Sequence, residues 1–195
     1  AGQCLSVRVR GREWRLEVRY TVEEIRQILS YLANYSLYAY EREIRQGYLT
    51  LPGGHRLGLV GRAVLEGDRI TSLMEISALN LRLAHEKKGC ADSVISCLWE
   101  QDNLCDTLVV SPPGGGKTTL LRDCIRQISD GTKEHRGRTV GVVDERSEIA
   151  GCCRGVPEND VGMRTDVLDG CPKALGMRML LRSMAPEVLA VDEIG

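Results

Sequence analysis

The sequence predicts an α/β protein in which a parallel sheet, covered by helices on both faces, follows a small α+β domain. Three observations carry this prediction. Residues 89–195 alternate continuous apolar runs with amphipathic segments, which is typical of buried parallel strands and their helices. Much of residues 1–88 alternates apolar and polar positions at period two. A glycine-rich turn at residues 111–117 joins an apolar run to an amphipathic helix pattern.

The composition excludes several classes of protein. The chain has 195 residues, is 43% hydrophobic and 27% charged, and carries a formal net charge of -1, which argues against disorder. Near-neutral charge excludes a strongly basic nucleic-acid binder. No run approaches the roughly 18 apolar residues of a membrane-spanning helix. Eight cysteines without a CxxC pair exclude a zinc ribbon and favour free, mostly buried thiols in a reducing cytosol.

The predicted small domain spans residues 1–88. The alternation over Leu5–Val9 and Trp14–Val18 predicts a hairpin. Thr21 and Glu24 form a capping box before a helix in VEEIRQILSYLA, and LYAYEREIRQ predicts a second helix. YLTLPGGHRLGLVGRAVLEGDR predicts strand and turn, and SALNLRLAHE predicts a further strand.

The predicted second domain spans residues 89–195 and alternates strands with helices. Apolar runs predict strands at Leu104–Val110 and in TVGVVDE and EVLAVDE. CPKALGMRMLLRSMA predicts a helix, and the segment between residues 146 and 170 is predicted to be a loop. Lys117–Ser129 predicts an amphipathic helix whose polar residues lie opposite its apolar face: Arg122, Asp123, Arg126 and Gln127.

The segment LVVSPPGGGKTTLLRD has the order of strand, glycine-rich turn, Lys-Thr-Thr and helix that is typical of a P-loop. Glycines let the backbone turn its N–H groups towards phosphate oxygens, and the helix N-terminus adds its own. Lys117 is expected to reach the β- and γ-phosphates, Thr118 to bind Mg²⁺ and Thr119 to reach the α-phosphate. Ser111 departs from the pattern G-x-x-x-x-G-K-[ST]. The predicted cofactors are therefore ATP and Mg²⁺, and the predicted nucleotide-binding residues are Pro113, Gly114, Gly115, Gly116, Lys117, Thr118 and Thr119.

Two predicted strands end in acidic pairs. Asp192-Glu193 follows an apolar run, which is the Walker B arrangement. There Asp192 would hold Mg²⁺ together with Thr118, and Glu193 would orient the attacking water. Asp144-Glu145 ends an earlier strand. Both pairs are expected at the same edge of the sheet, close to the γ-phosphate.

An acidic strand between the glycine-rich turn and Walker B argues against a small nucleotide kinase or a GTPase. The arrangement is similar to RecA-like proteins and secretion ATPases, in which a glutamate on that strand polarises water. This resemblance implies Glu145 as the general base, ahead of Glu193 and Glu148. The resemblance also implies the fold, which is a P-loop RecA-like parallel sheet.

Longer segments extend the resemblance over nearly the whole chain. SPPGGGKTTLLRDCIRQIS, VGVVDERSEIAG and RSMAPEVLAVDEIG, together with NYSLYAYEREIRQGYLTLPGGHRLGLVGRAVLE in the first half, resemble the sporulation stage III AA family. The family's functional residues carry over to the positions that match its motifs: Gly116, Lys117, Thr118, Asp192 and Glu193.

The resemblance implies a cytoplasmic ATPase that is similar to the ring-forming motor ATPases of type II and type IV secretion. It implies a ring homo-oligomer, expected to be a hexamer. It also implies a peripheral position at the membrane, through membrane-embedded sporulation channel proteins that join mother cell and forespore. No nucleic-acid partner is expected. Because the family continues beyond Walker B with a γ-phosphate sensor, and the chain opens without Met, the chain is expected to be a fragment truncated after Walker B.

Two other functions stay open at this level. One is a nucleotide-gated scaffold with little turnover, and the other is a RecA-like nucleic-acid motor. The acidic pairs favour turnover, and near-neutral charge disfavours nucleic acid. Arg146, Arg154 and Arg164 lie in the predicted loop. They are candidates for sensing phosphate within their own subunit or for arginine fingers from a neighbouring one, with ordinary surface arginines as the alternative.

Overall fold

The computed structural model is a mixed α/β structure that describes residues 1–193, with Ala39 and Arg42 described by their backbone alone. Its Cα atoms group into two compact units. Unit 1 is Ala1–Leu51 with His55–Arg82, and unit 2 is Pro52–Gly54 with the described residues from Leu83 onwards. The boundary after residue 88 that the sequence suggests stays a prediction.

Unit 1 contains a β-hairpin, a three-stranded antiparallel sheet and short helices. Its elements in chain order are β1 (Cys4–Val9), β2 (Arg12–Arg19), α1 (Val22–Leu32), a 3₁₀ helix (Leu37–Tyr40), α2 (Glu41–Arg45), β3 (Tyr48–Leu51), β4 (His55–Glu66) and β5 (Arg69–Arg82). The strand β1 pairs with β2, and the larger sheet has the order β3-β4-β5. The buried core residues of this unit are Leu29, Ala33, Leu49, Leu51, Leu57 and Leu59.

The sequence patterns account for most of these elements. The hairpin is confirmed, with Val7 opposite Trp14. The capping box is confirmed, because the Glu24 N–H donates to the Thr21 hydroxyl at 3.2 Å and the Thr21 N–H donates to the Glu24 carboxylate at 2.7 Å. The predicted second helix is wrong in extent. At Tyr40 the backbone (φ −106°, ψ 14°) leaves the α-helical region and separates the 3₁₀ turn from the five-residue α2.

Unit 2 contains a parallel sheet and two longer helices. Its elements are a 3₁₀ helix (Ile95–Leu98), β6 (Trp99–Glu100), β7 (Asn103–Leu104), α3 (Lys117–Asp130), β8 (Val140–Asp144), β9 (Thr165–Asp169), α4 (Lys173–Ser183) and β10 (Val188–Val191). The sheet has the order β10-β8-β9, which confirms the predicted parallel sheet. Every residue of β8 is buried, as its continuous apolar pattern predicts.

Two predictions for unit 2 are wrong. The segment Leu104–Val110 is not a strand: only Leu104 lies in the short strand β7, and Leu108 and Val110 are 67% and 80% exposed. A strand exists only beside a partner, and no strand among residues 1–193 pairs with residues 105–110. The segment predicted as a loop contains the strand β9, which pairs with β8 at the edge of the sheet.

No helix within residues 1–193 is both long enough and apolar enough to cross a lipid bilayer.

Candidate functional site

The glycine-rich loop, residues 111–116, leads directly into α3. Gly114 and Gly116 have φ angles of 75° and 86°, in the left-handed region that favours glycine. Gly116 is also the N-cap of α3, and no side chain caps this end of the helix. The first N–H groups of α3 therefore lack intrahelical acceptors and stand beside an exposed loop, as an anion-binding site requires.

Ser111 explains why residue 115 is glycine. A Cβ atom on Gly115 would lie 2.5 Å from the Ser111 Oγ and 3.0 Å from the Pro112 carbonyl oxygen. The Gly115 N–H donates to that same carbonyl at 3.1 Å, which closes a tight turn. The departure from the expected glycine at position 111 thus places a hydroxyl group inside the loop. Pro113 lies in the exposed part of the same turn.

Lys117 opens α3 and turns its side chain back over the loop. Its ammonium group donates to the Ser111 carbonyl oxygen at 3.0 Å and to the Pro112 carbonyl oxygen at 3.4 Å. A lysine ammonium is a flexible point charge, so these contacts can be exchanged for phosphate oxygens. Thr119 lies in the first turn of the same helix.

Thr118 and Asp192, the two residues predicted to hold Mg²⁺, lie together. The Thr118 hydroxyl donates to the Asp192 Oδ1 at 3.1 Å, although 74 residues separate them. Within residues 1–193, no three His, Cys, Asp or Glu residues are clustered as a metal site would need. A hydroxyl and a carboxylate nevertheless fit Mg²⁺, which takes one or two carboxylates and completes its shell with water and phosphate oxygens.

The two acidic pairs lie at the same edge of the sheet. Val191 of β10 pairs with Val143 of β8 in parallel register, so Asp192 follows β10 at the level at which Asp144 ends β8. The carboxyl ends of parallel strands are the ordinary place for ligands in open α/β sheets.

Both leading candidates for the general base are engaged in ion pairs. Glu145 lies 3.7 Å from the Lys173 Nζ, and Glu193 lies 3.3 Å from an Arg146 guanidinium nitrogen. Both carboxylates are exposed to a substantial degree, so these pairs are weak and can be exchanged.

Asp144 does not share the role of Glu145. Its carboxylate is fully buried and accepts the N–H groups of Glu148 at 2.9 Å, Ile149 at 3.0 Å and Ala150 at 2.8 Å. Burial raises the pKa of Asp144 to about 6, against the lowering effect of these N–H groups. Asp144 therefore organises the turn after β8, and Glu148 is part of that turn.

Arg122 holds the same turn from α3, and sequence reasoning missed it. Of the residues predicted to lie on the polar face of α3, Arg122, Asp123 and Gln127 are buried. The Arg122 guanidinium donates to the Ile149 carbonyl oxygen and, at 2.6 Å, to the Glu148 carbonyl oxygen. Burial lowers the pKa of Arg122. An unusual density of charged groups beside the apolar face was the only sequence signal for it.

The three arginines of the segment after β8 have different surroundings. Arg146 pairs with Glu193. Arg164 donates to the carbonyl oxygen of Ser129 at 2.9 Å, at the C-terminal end of α3 and so at the opposite end from the glycine-rich loop. Arg154 is exposed, with a φ of 52°.

The eight cysteines are free thiols, as expected, but most are not buried. Only Cys124 and Cys152 are buried, and burial raises their pKa values to about 11 and about 12. These two thiols are therefore poor nucleophiles at neutral pH.

Comparison with known proteins gives one family. The family model described as "Sporulation stage III, protein AA" matches residues 4–195. Stage III sporulation protein AA of Bacillus subtilis (strain 168) is 48% identical over 186 residues, which cover 95% of this chain and 60% of that protein. Protein SEEDLING PLASTID DEVELOPMENT 1 of Arabidopsis thaliana is 31% identical over 124 residues, which cover 63% of this chain and 17% of that protein. The chain thus spans less than two thirds of the length of either relative, and no solved structure matches it.

Proposed function

The chain belongs to the sporulation stage III protein AA family, and we propose that it is an ATP-binding and ATP-hydrolysing motor subunit with a P-loop RecA-like core. One observation carries this proposal. The glycine-rich loop leads into the uncapped N-terminus of α3, and the second residue of that helix, Thr118, lies 3.1 Å from the strand-end carboxylate of Asp192. A phosphate cradle and a pair of Mg²⁺ ligands are the two parts that an ATPase of this type needs in one place.

The nucleotide would bind through its phosphates. The N–H groups at the start of α3 and the left-handed glycines Gly114 and Gly116 would surround the β-phosphate, and the Lys117 ammonium would leave its two carbonyl acceptors for the β- and γ-phosphate oxygens. Thr119 in the first turn would reach the α-phosphate. Thr118 and Asp192 would hold Mg²⁺, which when bound neutralises charge on the phosphate oxygens.

In the proposed reaction a water oxygen forms a bond to the γ-phosphorus. The bond from that phosphorus to the bridging oxygen breaks, and its electron pair stays on the ADP oxygen. The water proton passes to a glutamate carboxylate and from there to solvent. Glu145 and Glu193 end neighbouring strands at the correct edge of the sheet for this role, with Glu145 as the first candidate.

Family membership supports a proposal for the biological setting. We propose a role in a sporulation transport or channel complex, with the protein acting as a cytoplasmic ring at the membrane through membrane-embedded partners. The same resemblance implies a ring of six subunits, and the near-neutral net charge of -1 argues against a nucleic-acid partner.

A second candidate is a nucleotide-gated scaffold with little turnover. One observation favours it, since both candidate bases are paired with cations: Glu145 with Lys173 and Glu193 with Arg146. A glutamate that stays in such a pair cannot accept the water proton. The two functions share the binding site and differ in turnover.

Lys117→Ala tests the shared site. Loss of the ammonium contacts to phosphate is expected to weaken nucleotide binding roughly 10- to 100-fold, because hydrogen bonds to charged groups are strong. Titration of the full-length protein with a fluorescent ATP analogue measures the affinity, and circular dichroism checks the fold. Lys133→Ala, at an exposed position outside the site, is the matched control.

Turnover of the unmodified protein separates the two functions. Binding with steady phosphate release supports the motor, and binding without release supports the scaffold. Unchanged affinity of the Lys117→Ala variant would show that the glycine-rich loop is not a phosphate cradle.

A further inference from the structure

The tight turn between β3 and β4 consists of Pro52–Gly54. Leu51 and His55 on either side of it pair in the antiparallel sheet, so the chain reverses within three residues. Gly53 and Gly54 have φ angles of 78° and 71°, which glycine adopts at no steric cost. Of the described residues up to Arg82, only these three group with unit 2. The turn is therefore part of the unit that contains the candidate site.

Gly54 lies against Gly151 of the same unit. A Cβ atom on Gly151 would lie 2.7 Å from the Gly54 nitrogen and 3.0 Å from the Gly53 carbonyl carbon, whereas ordinary contacts begin at 3.4 Å. A Cβ atom on Gly54 would lie 3.3 Å from the Gly151 Cα and 3.5 Å from the Ser147 carbonyl oxygen. Backbones come this close only where side chains are absent. We call this approach of Gly54 to Gly151 the glycine contact.

The glycine contact reaches the turn after β8, which comprises residues 145–151. The buried Asp144 carboxylate accepts three N–H groups of that turn, and the Asn159 amide donates to the Ile149 carbonyl oxygen at 3.1 Å. These bonds hold residues 148–150. The glycine contact holds the last residue, Gly151, which is itself buried.

The same turn begins with Glu145, the first candidate for the general base. Its side chain is 39% exposed and lies 3.7 Å from the Lys173 ammonium, a weak pair that does not fix the carboxylate in one place. A general base must stand within hydrogen-bond distance of the proton that it accepts. The backbone of residues 145–151 therefore decides where the Glu145 carboxylate can reach.

We propose that the Pro52–Gly54 turn is a positioning element for Glu145. By holding Gly151 it fixes the backbone of residues 145–151, so that the Glu145 carboxylate stands where the attacking water will be. This inference rests on the proposed function. Gly54 and Gly151 supply no group to the reaction: the water oxygen bonds to the γ-phosphorus, the bond to the bridging ADP oxygen breaks, and the water proton passes to Glu145.

Gly151→Ala is the first test. The new methyl group meets backbone atoms of the Pro52–Gly54 turn, so the two segments must move apart by several tenths of an ångström. In the full-length protein we expect kcat to fall by about 10- to 100-fold, because a displacement near 1 Å costs about 100-fold. The affinity for nucleotide is expected to stay unchanged, because the glycine-rich loop and Lys117 are untouched.

Gly155→Ala is the matched control. Gly155 also has a positive φ, 79° against 58° for Gly151, so alanine is strained at both positions. Apart from its sequence neighbours, no described atom lies within 4 Å of a Cβ atom on Gly155. This variant has the same backbone penalty without the displacement, and its turnover is expected to be that of the wild type.

Gly54→Ala approaches the contact from the other side. Its Cβ atom is less crowded than that of Gly151→Ala, so we expect a smaller loss of kcat, of about 3-fold. The control is Gly67→Ala, with a φ of 61° and open space around its Cβ atom. If Gly151→Ala fails to fold by circular dichroism, Gly54→Ala tests the same contact with the milder change.

Double variants show whether the effect passes through Glu145. Once Glu145→Gln has removed the base, adding Gly151→Ala is expected to lower turnover no further. Added to Glu193→Gln, Gly151→Ala is expected to lower turnover by the same factor as in the wild type. A merely structural loss would instead appear in both backgrounds.

Four outcomes overturn the inference, and they differ from one another. Wild-type kcat in Gly151→Ala shows that the glycine contact is not needed, and an equal loss in the Glu145→Gln background shows that it does not act through Glu145. Full turnover by Glu145→Gln alone removes Glu145 as the base and leaves the proposed hydrolysis standing. Nucleotide binding without turnover by the unmodified protein overturns the proposed hydrolysis itself, before any glycine variant is made.

Discussion

At the scale of single residues, Asp144 combines two opposing effects on one carboxylate. Its complete burial favours the neutral form, whereas the N–H groups of Glu148, Ile149 and Ala150 favour the charged form. The negative charge of Asp169 adds to the effect of burial. The net result is a pKa of about 6, well above the ordinary value of 3.8. The folded protein therefore holds a proton on Asp144 more tightly than the unfolded chain does.

The raised pKa of Asp144 makes the stability of the folded protein depend on pH. A carboxyl group whose pKa is raised by folding contributes stability that is fully present below its unfolded pKa and is lost as pH rises through its folded pKa. Asp144→Asn removes the titration. The free energy of unfolding of the wild type minus that of the variant is thus expected to fall by about 2 kcal/mol between about pH 4 and pH 7. Urea unfolding of both full-length proteins at several pH values measures this difference.

Asp106→Asn, at an exposed position, controls for the simple loss of a carboxylate. If the difference between the wild type and Asp144→Asn instead grows as pH rises, the three N–H donors outweigh burial and the pKa of Asp144 lies below its ordinary value.

Some residues of the candidate site could be predicted from the sequence, and others could not. Lys117, Thr118 and Asp192 could be named from sequence because fixed spacings in a glycine-rich turn and an apolar strand determine where they lie. The roles of Asp144 and Arg122 could not. They depend on which carbonyl and N–H groups the chain brings to them from 4 to 27 residues away, and no local pattern contains that information.

At the scale of elements, α3 is fixed by its polar residues as well as by its apolar face. The Asp123 carboxylate accepts the Ala91 N–H at 2.8 Å, and the Gln127 amide donates to the Asp92 Oδ1 at 2.8 Å. The neighbouring residue Arg122 donates a hydrogen bond to the Glu148 carbonyl oxygen in the turn after β8. Helical periodicity states which residues share a face, and it does not state whether water or protein covers that face. The helical pattern therefore could not predict that these residues are buried.

Arg122→Met tests the tie between α3 and the turn after β8. Methionine keeps an unbranched side chain of similar length and removes both guanidinium hydrogen bonds. Because two buried carbonyl oxygens lose a charged donor, the free energy of opening of this turn is expected to fall by about 2 kcal/mol. Hydrogen exchange of the amides of residues 148–150 in the full-length protein measures it.

Arg122→Lys distinguishes charge from geometry in the same measurement. A lysine ammonium lacks the planar fork that reaches the Glu148 and Ile149 carbonyl oxygens together, so only partial recovery of protection is expected. Unchanged exchange in the methionine variant would show that the turn is held without Arg122.

The strands could be predicted from the sequence only in part. β8 and β10 were recognisable because they are short apolar runs, of which β8 is fully buried and β10 half-buried. The apolar run 105–110 has the same composition and forms no strand, because no described strand lies beside it. β9 was missed because Thr165–Asp169 lies at an edge of the sheet and alternates only weakly. Strand formation depends on a partner, and the partner is distant in sequence.

At the scale of the whole molecule, each unit has its own apolar core, of aliphatic residues in unit 1 and largely so in unit 2. The alternation of apolar runs and helices predicted the parallel sheet of unit 2, which the structure confirms. The RecA-like assignment stays a prediction. A three-stranded parallel sheet is common to many α/β folds. The glycine-rich turn and the acidic strand ends indicate a type of chemistry, and they do not determine the order of the strands.

The proposed assembly leads to a last prediction, on how activity depends on concentration. If each complete site combines the glycine-rich loop of one copy with residues of the next, an isolated subunit has an incomplete site. Turnover per subunit of the full-length protein is then expected to rise with protein concentration as rings form and to level off when assembly is complete. Phosphate release and sedimentation velocity, measured over the same concentration range, are expected to follow one curve. Lys133→Ala, at an exposed position outside the site, is the control and is expected to follow the same curve. Constant turnover per subunit in a range where sedimentation shows only monomer would contradict a site shared between copies.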